Sequence, residues 1–501
     1  MGKAGFGGLR SRVAVALAIL GLSVCGGKPA AAADPAPVSG FRLAEPADFS
    51  ALGFVEAFRS AHRKFATEYA FTRWKNVDWH ALYRRTLPAV EDAARSRDEA
   101  AYFRALTAYV AGIDDGHVSL PRNDATAPLV DAVVRRQSGG SFGLGLAMLD
   151  DGRVIVAKVA PGGPAEKVGV EPGAVVLEWD GLPVSQAVRG LDLGAHVAAM
   201  RVATDEYRRL EQVRLLTRAP VGASARLVYR NPAAAAVRAA RLVAVDDDLR
   251  GLDLFNLAPP PTAEDERAII AARRIGDDGY IRLSALADLK DLKRAPDFIW
   301  DSYAAAVDGF NRAGVHGLVL DLRGNHGGYD VLAEMICGSL YDRPAFYEAT
   351  VFFDAATGRF RRITVDDRTG KVVDALMIEP QPPHFRGPVA VLVNPRTISS
   401  AEGIAHCIAA RPNGAVIGFH GTRGSFGLAG GEATLPGGIT LHYPFGRAVD
   451  RRGVVMIDSR NGRGGVAPTV RVLSTRENIL AFASGDDVEL ERALHWLRES
   501  R

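Results

Sequence analysis

Pro388-Val389-Ala390-Val391-Leu392-Val393-Asn394, followed by Pro395-Arg396-Thr397-Ile398-Ser399-Ser400-Ala401-Glu402, is the most informative local unit of the chain. A short apolar run, a proline-containing turn and an apolar run of helical spacing from Ser400 to Ala410 spell strand, tight turn, helix. A hydroxyl at such a turn stands at a helix N-terminus, where unpaired backbone amides and the positive end of the helix dipole favour negative charge. The same Ser399-x-x-Glu402 spacing is also a capping box, which requires no chemistry. This stretch predicts a helix start and leaves the role of Ser399 open.

Upstream, Gly317-Leu318-Val319-Leu320-Asp321-Leu322 is a second apolar strand, ending in Arg323-Gly324-Asn325-His326-Gly327-Gly328. Adjacent glycines allow close backbone approach and offer amides to a developing oxyanion. From Asp277 onward, strands alternate with helical patterns: Tyr280 to Leu283, a helix near Phe298 to Ala313, the Gly317 strand, a helix from Tyr329 to Leu340, the Val389 strand, the Ser400 helix and Ala415 to Gly418. Such alternation predicts an α/β layered core.

Two different modules precede that core. From Pro46 to Leu120 the spacing of Phe54, Phe58, Phe65, Tyr69, Trp74, Trp79, Leu82 and Tyr83 predicts amphipathic helices, with Asp78 as an N-cap. The pattern breaks at Gly112-Ile113-Asp114-Asp115-Gly116-His117. Between Val134 and Val245 short strands and turns take over, among them Ser141-Phe142-Gly143-Leu144-Gly145-Leu146, Val154-Ile155-Val156, and Val175 to Trp179 closed by Asp180-Gly181. A helical stretch from Leu191 to Leu216 precedes a last strand at Ala225 to Tyr229. This order resembles a PDZ domain with a helical insertion. The resemblance implies that the amides of Phe142, Gly143, Leu144 and Gly145 hold a peptide carboxylate while the strand edge pairs with the peptide.

The segments Asp321-Leu322-Arg323-Gly324-Asn325-His326-Gly327-Gly328 and Asn394 to Glu402, together with the PDZ-like region, resemble the C-terminal processing peptidases and the tricorn core. That resemblance implies a multidomain α/β protein with a crotonase/ClpP-like core and Ser399 as nucleophile. Ser400 and Gly327, with Gly328 beside it, would form the oxyanion hole. Processing peptidases take a lysine base from a Gly-Lys turn about two dozen residues after the serine, but this chain reads Gly421-Thr422-Arg423-Gly424-Ser425-Phe426-Gly427. Arg423 cannot serve, because a guanidinium stays protonated. The tricorn-like branch takes a histidine from the loop after the helical module, which maps onto His117, with His420 as the rival base. An imidazole titrates near neutrality and can accept the proton. The glutamate of that branch is missing before Gly465-Val466-Ala467-Pro468, leaving Asp458 or Asn461 to orient the base, and Gly116 replaces the serine before the histidine. These departures keep two alternatives open: an inactive PDZ peptide-binding scaffold, and a serine esterase.

Composition narrows the partners. The 501 residues are 48% hydrophobic, and 61 Lys plus Arg against 58 Asp plus Glu give a net +3. That balance is too even for a nucleic-acid or anionic-membrane protein, and polypeptides are the expected partners, with no cofactor and no metal. Lys3, Arg10 and Arg12 before an apolar run from Val13 to Cys25, then Pro29 to Ala33, read as a secretory signal peptide cut after Ala33. The run falls short of the roughly 20 residues of a membrane span. The expected destination is exported, periplasmic or extracellular; lipid attachment at Cys25 is the lesser alternative, because Val24 stands where a small residue is needed. Cys337 and Cys407 read as buried thiols, with a disulfide between them left open. The expected division is 1–33 signal peptide, 34–44 linker, 45–132 helical module, 134–246 PDZ domain, 247–276 linker and 277–498 peptidase core.

Overall fold

Along Leu318–Asp321, alternate side chains are buried on opposite sides, which places the strand at the centre of a sheet covered on both faces. The computed structural model of the protein describes residues 40–194, 202–255, 268–287, 295–366 and 371–501. The expected signal peptide and Cys25 lie outside the described residues, as does part of the helical insertion.

Six strands form the central sheet in the order Ile270–Ile275, Asp278–Leu283, Leu318–Asp321, Val389–Leu392, Gly414–Gly418 and Val470–Arg471. All neighbours run parallel except the first pair, and Leu320 stands opposite both Ile281 and Val391. Leu318, Leu320, Val389 and Val391 pack against the helices Ala295–Arg312, Asp330–Gly338 and Ser400–Ala409 through Ile299, Leu332, Ile336, Ile404 and Ile408. Val319, Ala390 and Leu392 face the other way, onto the C-terminal helices Arg476–Ser484 and Val488–Glu499 and onto Ala147 and Ile155 of the PDZ-like region. Strand termini carrying the Gly327 and Ser399 loops therefore emerge at one edge of a doubly covered sheet, the usual location of sites in parallel α/β folds.

A second, largely antiparallel sheet contains Ala345–Asp354, Leu428–Leu435 and Ile439–Val449. The N-terminal helices Phe54–Glu68, Trp79–Ser96 and Glu99–Val110 lie on it, with Phe58, Phe65, Tyr102 and Tyr109 buried against Leu441 and Tyr443. Asp78 caps its helix by accepting from Ala81 N–H at 2.8 Å. The PDZ-like region is a five-strand path, Leu144–Met148, Val154–Val159, Val175–Trp179, Ser224–Arg230 and Arg238–Val243. Its described helices include Pro164–Lys167, Val184–Gly190 and Asp205–Leu215. Among the described residues no helix is long and apolar enough to cross a membrane. Cys337 and Cys407 are free thiols buried in one apolar cluster; burial first and the neighbouring Cys407 second push the Cys337 thiol well above its ordinary range.

Arg323, at the head of the glycine loop, has a structural task. Its guanidinium donates to Asp321 at 2.6 and 3.0 Å, to Asp487 at 2.7 and 2.8 Å and to Glu489 at 2.9 Å. Asp487 caps the last helix, and Glu489 accepts Phe419 N–H at 2.8 Å, so one buried cation ties three strand and helix ends together. Removing it leaves carboxylates buried without their counter-ion. Arg323→Ala is expected to lower stability by about 3–5 kcal/mol, read as a shifted urea midpoint; an unchanged midpoint would refute this role.

Candidate active site

Ser399 sits at the turn between the strand Val389–Leu392 and the helix Ser400–Ala409 with φ 63° and ψ −138°. A side-chain-bearing residue rarely holds this backbone, and the cost persists only where surroundings enforce it. Glu402 supplies much of that enforcement. Its carboxylate accepts Ser399 N–H at 3.2 Å and Ser425 N–H at 2.9 Å on one oxygen, and Thr422 O–H at 2.5 Å and Gly424 N–H at 2.8 Å on the other. Burial pushes the Glu402 carboxyl above its ordinary range while these four donors pull it back. The residue expected as half of a capping box thus also stitches the serine turn to the turn at 422–425.

Ser425 joins that turn to the histidine loop. Its carbonyl accepts Ser399 N–H at 3.0 Å and its hydroxyl accepts Gly116 N–H at 2.8 Å. A Cβ on Gly116 would lie 2.7 Å from Ser425 Oγ, 2.8 Å from Ile398 Cδ1 and 2.9 Å from Arg423 Cδ. A serine there would have to push these three side chains aside, so the packing favours glycine before His117. Asp115 fixes the same loop: it accepts His117 N–H at 2.8 Å and the Tyr69 hydroxyl at 2.6 Å. The histidine loop and the serine turn, remote in sequence, are thus adjacent, and both Ser399 and His117 are half-buried.

Asp458 belongs to this assembly. It is buried, and its Oδ2 accepts Phe426 N–H at 3.1 Å while Oδ1 has no hydrogen-bond partner among the described residues. Burial raises its carboxyl well above the ordinary range; Lys75 opposes the rise, and Asp115 and Glu402 add to it. Lys75 Nζ donates to Asp114 O at 2.8 Å and Ser459 Oγ at 2.7 Å, holding the Asp114 and Asp458 segments side by side. Asn461, by contrast, is exposed at the tip of a turn with φ 51°.

His420 is engaged elsewhere. Its Nδ1 lies 3.0 Å from Glu206 Oε1, and Gly421 N–H donates to the other Glu206 oxygen at 3.2 Å. Arg423, standing where the lysine branch has its base, donates to Pro395 O at 3.0 Å and stacks 5.0 Å over the Tyr207 ring. Asp205 N–H donates to Gly462 O at 2.8 Å, and Arg208 pairs with Asp114. The helix Asp205–Leu215 therefore touches three of the loops around Ser399.

The glycine pair shows divided labour. A Cβ on Gly327 would lie 2.5 Å from Ser399 Cβ, and its N–H donates to Asn325 Oδ1 at 2.8 Å. Gly327 therefore supplies space beside the serine, its amide being committed inward. Gly328 N–H makes only a long 3.3 Å contact with Ser400 Oγ, and Ser400 N–H opens the helix, so these two amides are better placed as donors. In the PDZ-like loop, Phe142 N–H donates to Thr217 O at 3.1 Å and Gly143 N–H to Ser141 Oγ at 3.0 Å, so two of the four expected carboxylate donors are already engaged. Among the described residues no group of three or more His, Cys, Asp or Glu is placed to hold a metal ion.

The sequence model of peptidase family S41 matches residues 277–472, and that of the PDZ domain matches 131–206. Residues 277–472 are thus similar to the S41 peptidase domain. The segment matched includes Gly327, Ser399, Glu402 and Asp458, while His117 comes from the helical module before the PDZ domain. The chain is 26% identical over 374 residues to the chloroplastic C-terminal processing peptidase of Tetradesmus obliquus, covering 73% of this chain and 66% of that relative, just short of two thirds of its length. Mature CPAF is similar in fold, with a TM-score of 0.58 at 14% identity over 89% of this chain and 98% of that one. CPAF complexed with lactacystin gives 0.56 at 15% identity, over 89% and 99%. The two structural likenesses show a fold shared across nearly the whole chain.

Sequence reasoning missed Ser425, Tyr69 and the hydrogen bonding of Glu402. The signal for Glu402 was present as Ser-x-x-Glu; for Ser425 and Tyr69 no local pattern distinguishes them from ordinary polar residues. A methyl at Gly327 meets the serine and imposes an unfavourable φ of 75°. Displacing Ser399 by about 1 Å is expected to cut its labelling about 100-fold. Gly327→Ala should therefore lose fluorophosphonate labelling while remaining folded by circular dichroism; full labelling would show that the contact is not critical.

Proposed function

We propose that the chain is a serine-type peptidase that hydrolyses peptide bonds through acylation of Ser399. His117 takes the hydroxyl proton as the bond to the carbonyl carbon forms, then returns it to the leaving amine; water repeats the cycle on the ester. Amides of Ser400 and Gly328 receive the oxyanion. Asp458, with an uncommitted buried oxygen, orients and stabilises the imidazolium. A positive charge on His117 offsets the cost of ionising Asp458 in this buried setting. The observation that carries the reading is the strained serine turn joined through Ser425 to the Gly116-His117 loop.

The relative named for C-terminal processing and the PDZ match support a substrate class of polypeptides recognised through their tails. The basic, apolar and small-residue order of residues 1–33 supports an exported, periplasmic or extracellular enzyme.

Covalent labelling tests the assignment. Wild-type protein should form a fluorophosphonate adduct that Ser399→Ala abolishes and His117→Ala reduces by about 100-fold or more. His420→Ala should retain labelling within a few-fold, its ring being held by Glu206. Persistent labelling in Ser399→Ala, or a larger loss in His420→Ala than in His117→Ala, would overturn the corresponding role.

A further inference from the structure

Among the described residues, the PDZ strand Leu144–Met148 ends its sheet, with a hydrogen-bonded neighbour only at Val154–Val159, and it packs beside the helix Asp205–Leu215. A free strand edge beside a helix is where an extended peptide adds as a further strand. In this chain that place is taken. A Cβ on Gly145 would lie 2.7 Å from Phe255 Cβ and 3.3 Å from Phe255 N. Leu146 and Met148 of the strand, Leu210 and Val213 of the helix, and Phe255 line one cavity.

The segment leading to Phe255 is held at several points. Val245–Asp246 pairs antiparallel with Gly140–Ser141, immediately before the Phe142-Gly143 loop. Asp247 then receives two hydrogen bonds from Arg218, at 2.7 and 2.8 Å. Arg218 is almost wholly buried and also donates to Ser138 O at 2.9 Å, so an internal carboxylate occupies a cation at the approach to the loop. Arg214, on the helix, donates to Leu252 O at 3.0 Å, and Leu252 packs on Leu193, Val202, Tyr207 and Leu215. The connecting turn places Asp248 and Leu249 at φ 52° and 62°, a left-handed pair that side-chain-bearing residues adopt only under constraint.

We propose that residues 245–255 are an internal ligand of the PDZ groove, and that the groove's external partner is an extended polypeptide tail bearing a carboxylate and large apolar side chains, which binds by displacing them. The carboxylate of such a tail replaces Asp247 on Arg218, and its apolar residues replace Leu252 and Phe255. Release of the segment relieves the left-handed turn and opens the strand edge. This inference rests on reading 131–206 as a peptide-binding PDZ domain; it does not depend on the chemistry at Ser399.

The probe is a fluorescein-labelled synthetic peptide of residues 245–255 with a free carboxylate, measured by fluorescence anisotropy against the full chain carrying Ser399→Ala, so that no cleavage intervenes. The chain further altered by Leu252→Ala and Phe255→Ala, with Arg218 retained, is expected to bind it at least tenfold more tightly than the chain with its own segment intact. Phe255→Ala alone, which deletes only the contact over Gly145, should give an intermediate gain and serves if the double variant fails to fold. Saturating peptide should also accelerate hydrogen exchange at residues 250–255 of the otherwise unaltered Ser399→Ala chain. Equal affinity for intact and loosened chains, absence of binding to both, or unchanged exchange would overturn the proposal. Fluorophosphonate labelling of the chain with Ser399 present reports on the peptidase reading separately.

Discussion

The Glu402 carboxylate is the interaction on which the site depends. It lies fully inside the protein and spends both oxygens on four donors, three of them backbone amides belonging to two different turns. A carboxylate is suited to this because it accepts several hydrogen bonds at once, each strengthened by charge and low dielectric. One of those amides is that of Ser399, whose backbone lies in a costly region; another is that of Ser425, which receives the histidine loop. Losing the carboxylate would orphan several buried donors together and loosen the serine and its neighbouring loop in one step.

Much of the architecture was legible because apolar periodicity is a local signal. The central strands at 280–283, 318–321, 389–392 and 415–418 and the three helices between them lie where the alternation placed them, since strands buried on both faces must be apolar throughout. The second sheet was not read. Its strands Leu428–Leu435 and Ile439–Val449 contain Gly430, Gly431, His442, Pro444 and Arg447, and they become strands through pairing with one another and burial under the N-terminal helices. Tertiary contact here overrides local propensity. At the proposed site, the strand-turn-helix setting of Ser399 was legible in the sequence. His420 could not be separated from His117 by spacing, because what distinguishes them is Glu206, a partner from the PDZ-associated helix.

The departures from the related peptidases make physical sense as a set. Where a lysine would stand, Arg423 braces the serine turn through Pro395 and packs on Tyr207. Where a serine would precede the histidine, the close approach of the Ile398, Ser425 and Arg423 side chains favours glycine. Asp458, proposed in place of a glutamate, lies buried beside the 425–426 turn, with one oxygen uncommitted. Each change is matched by packing at the same spot, so the site is a coherent variant and its unusual residues support one another.

The helix Asp205–Leu215 bridges the PDZ domain and the loops around the serine, touching residues as far apart as Asp114 and Gly462. The parts of the proposed catalytic centre likewise come from distant points along the chain, with the imidazole near the start, the hydroxyl far downstream and the acid later still. With the proposed roles, a ribosome delivers the base long before there is anything for it to deprotonate, and a half-made chain would carry no working centre. Chains truncated before Asp458 would share that inertness, so the order of synthesis itself would keep an unfinished hydrolase of this design from acting early.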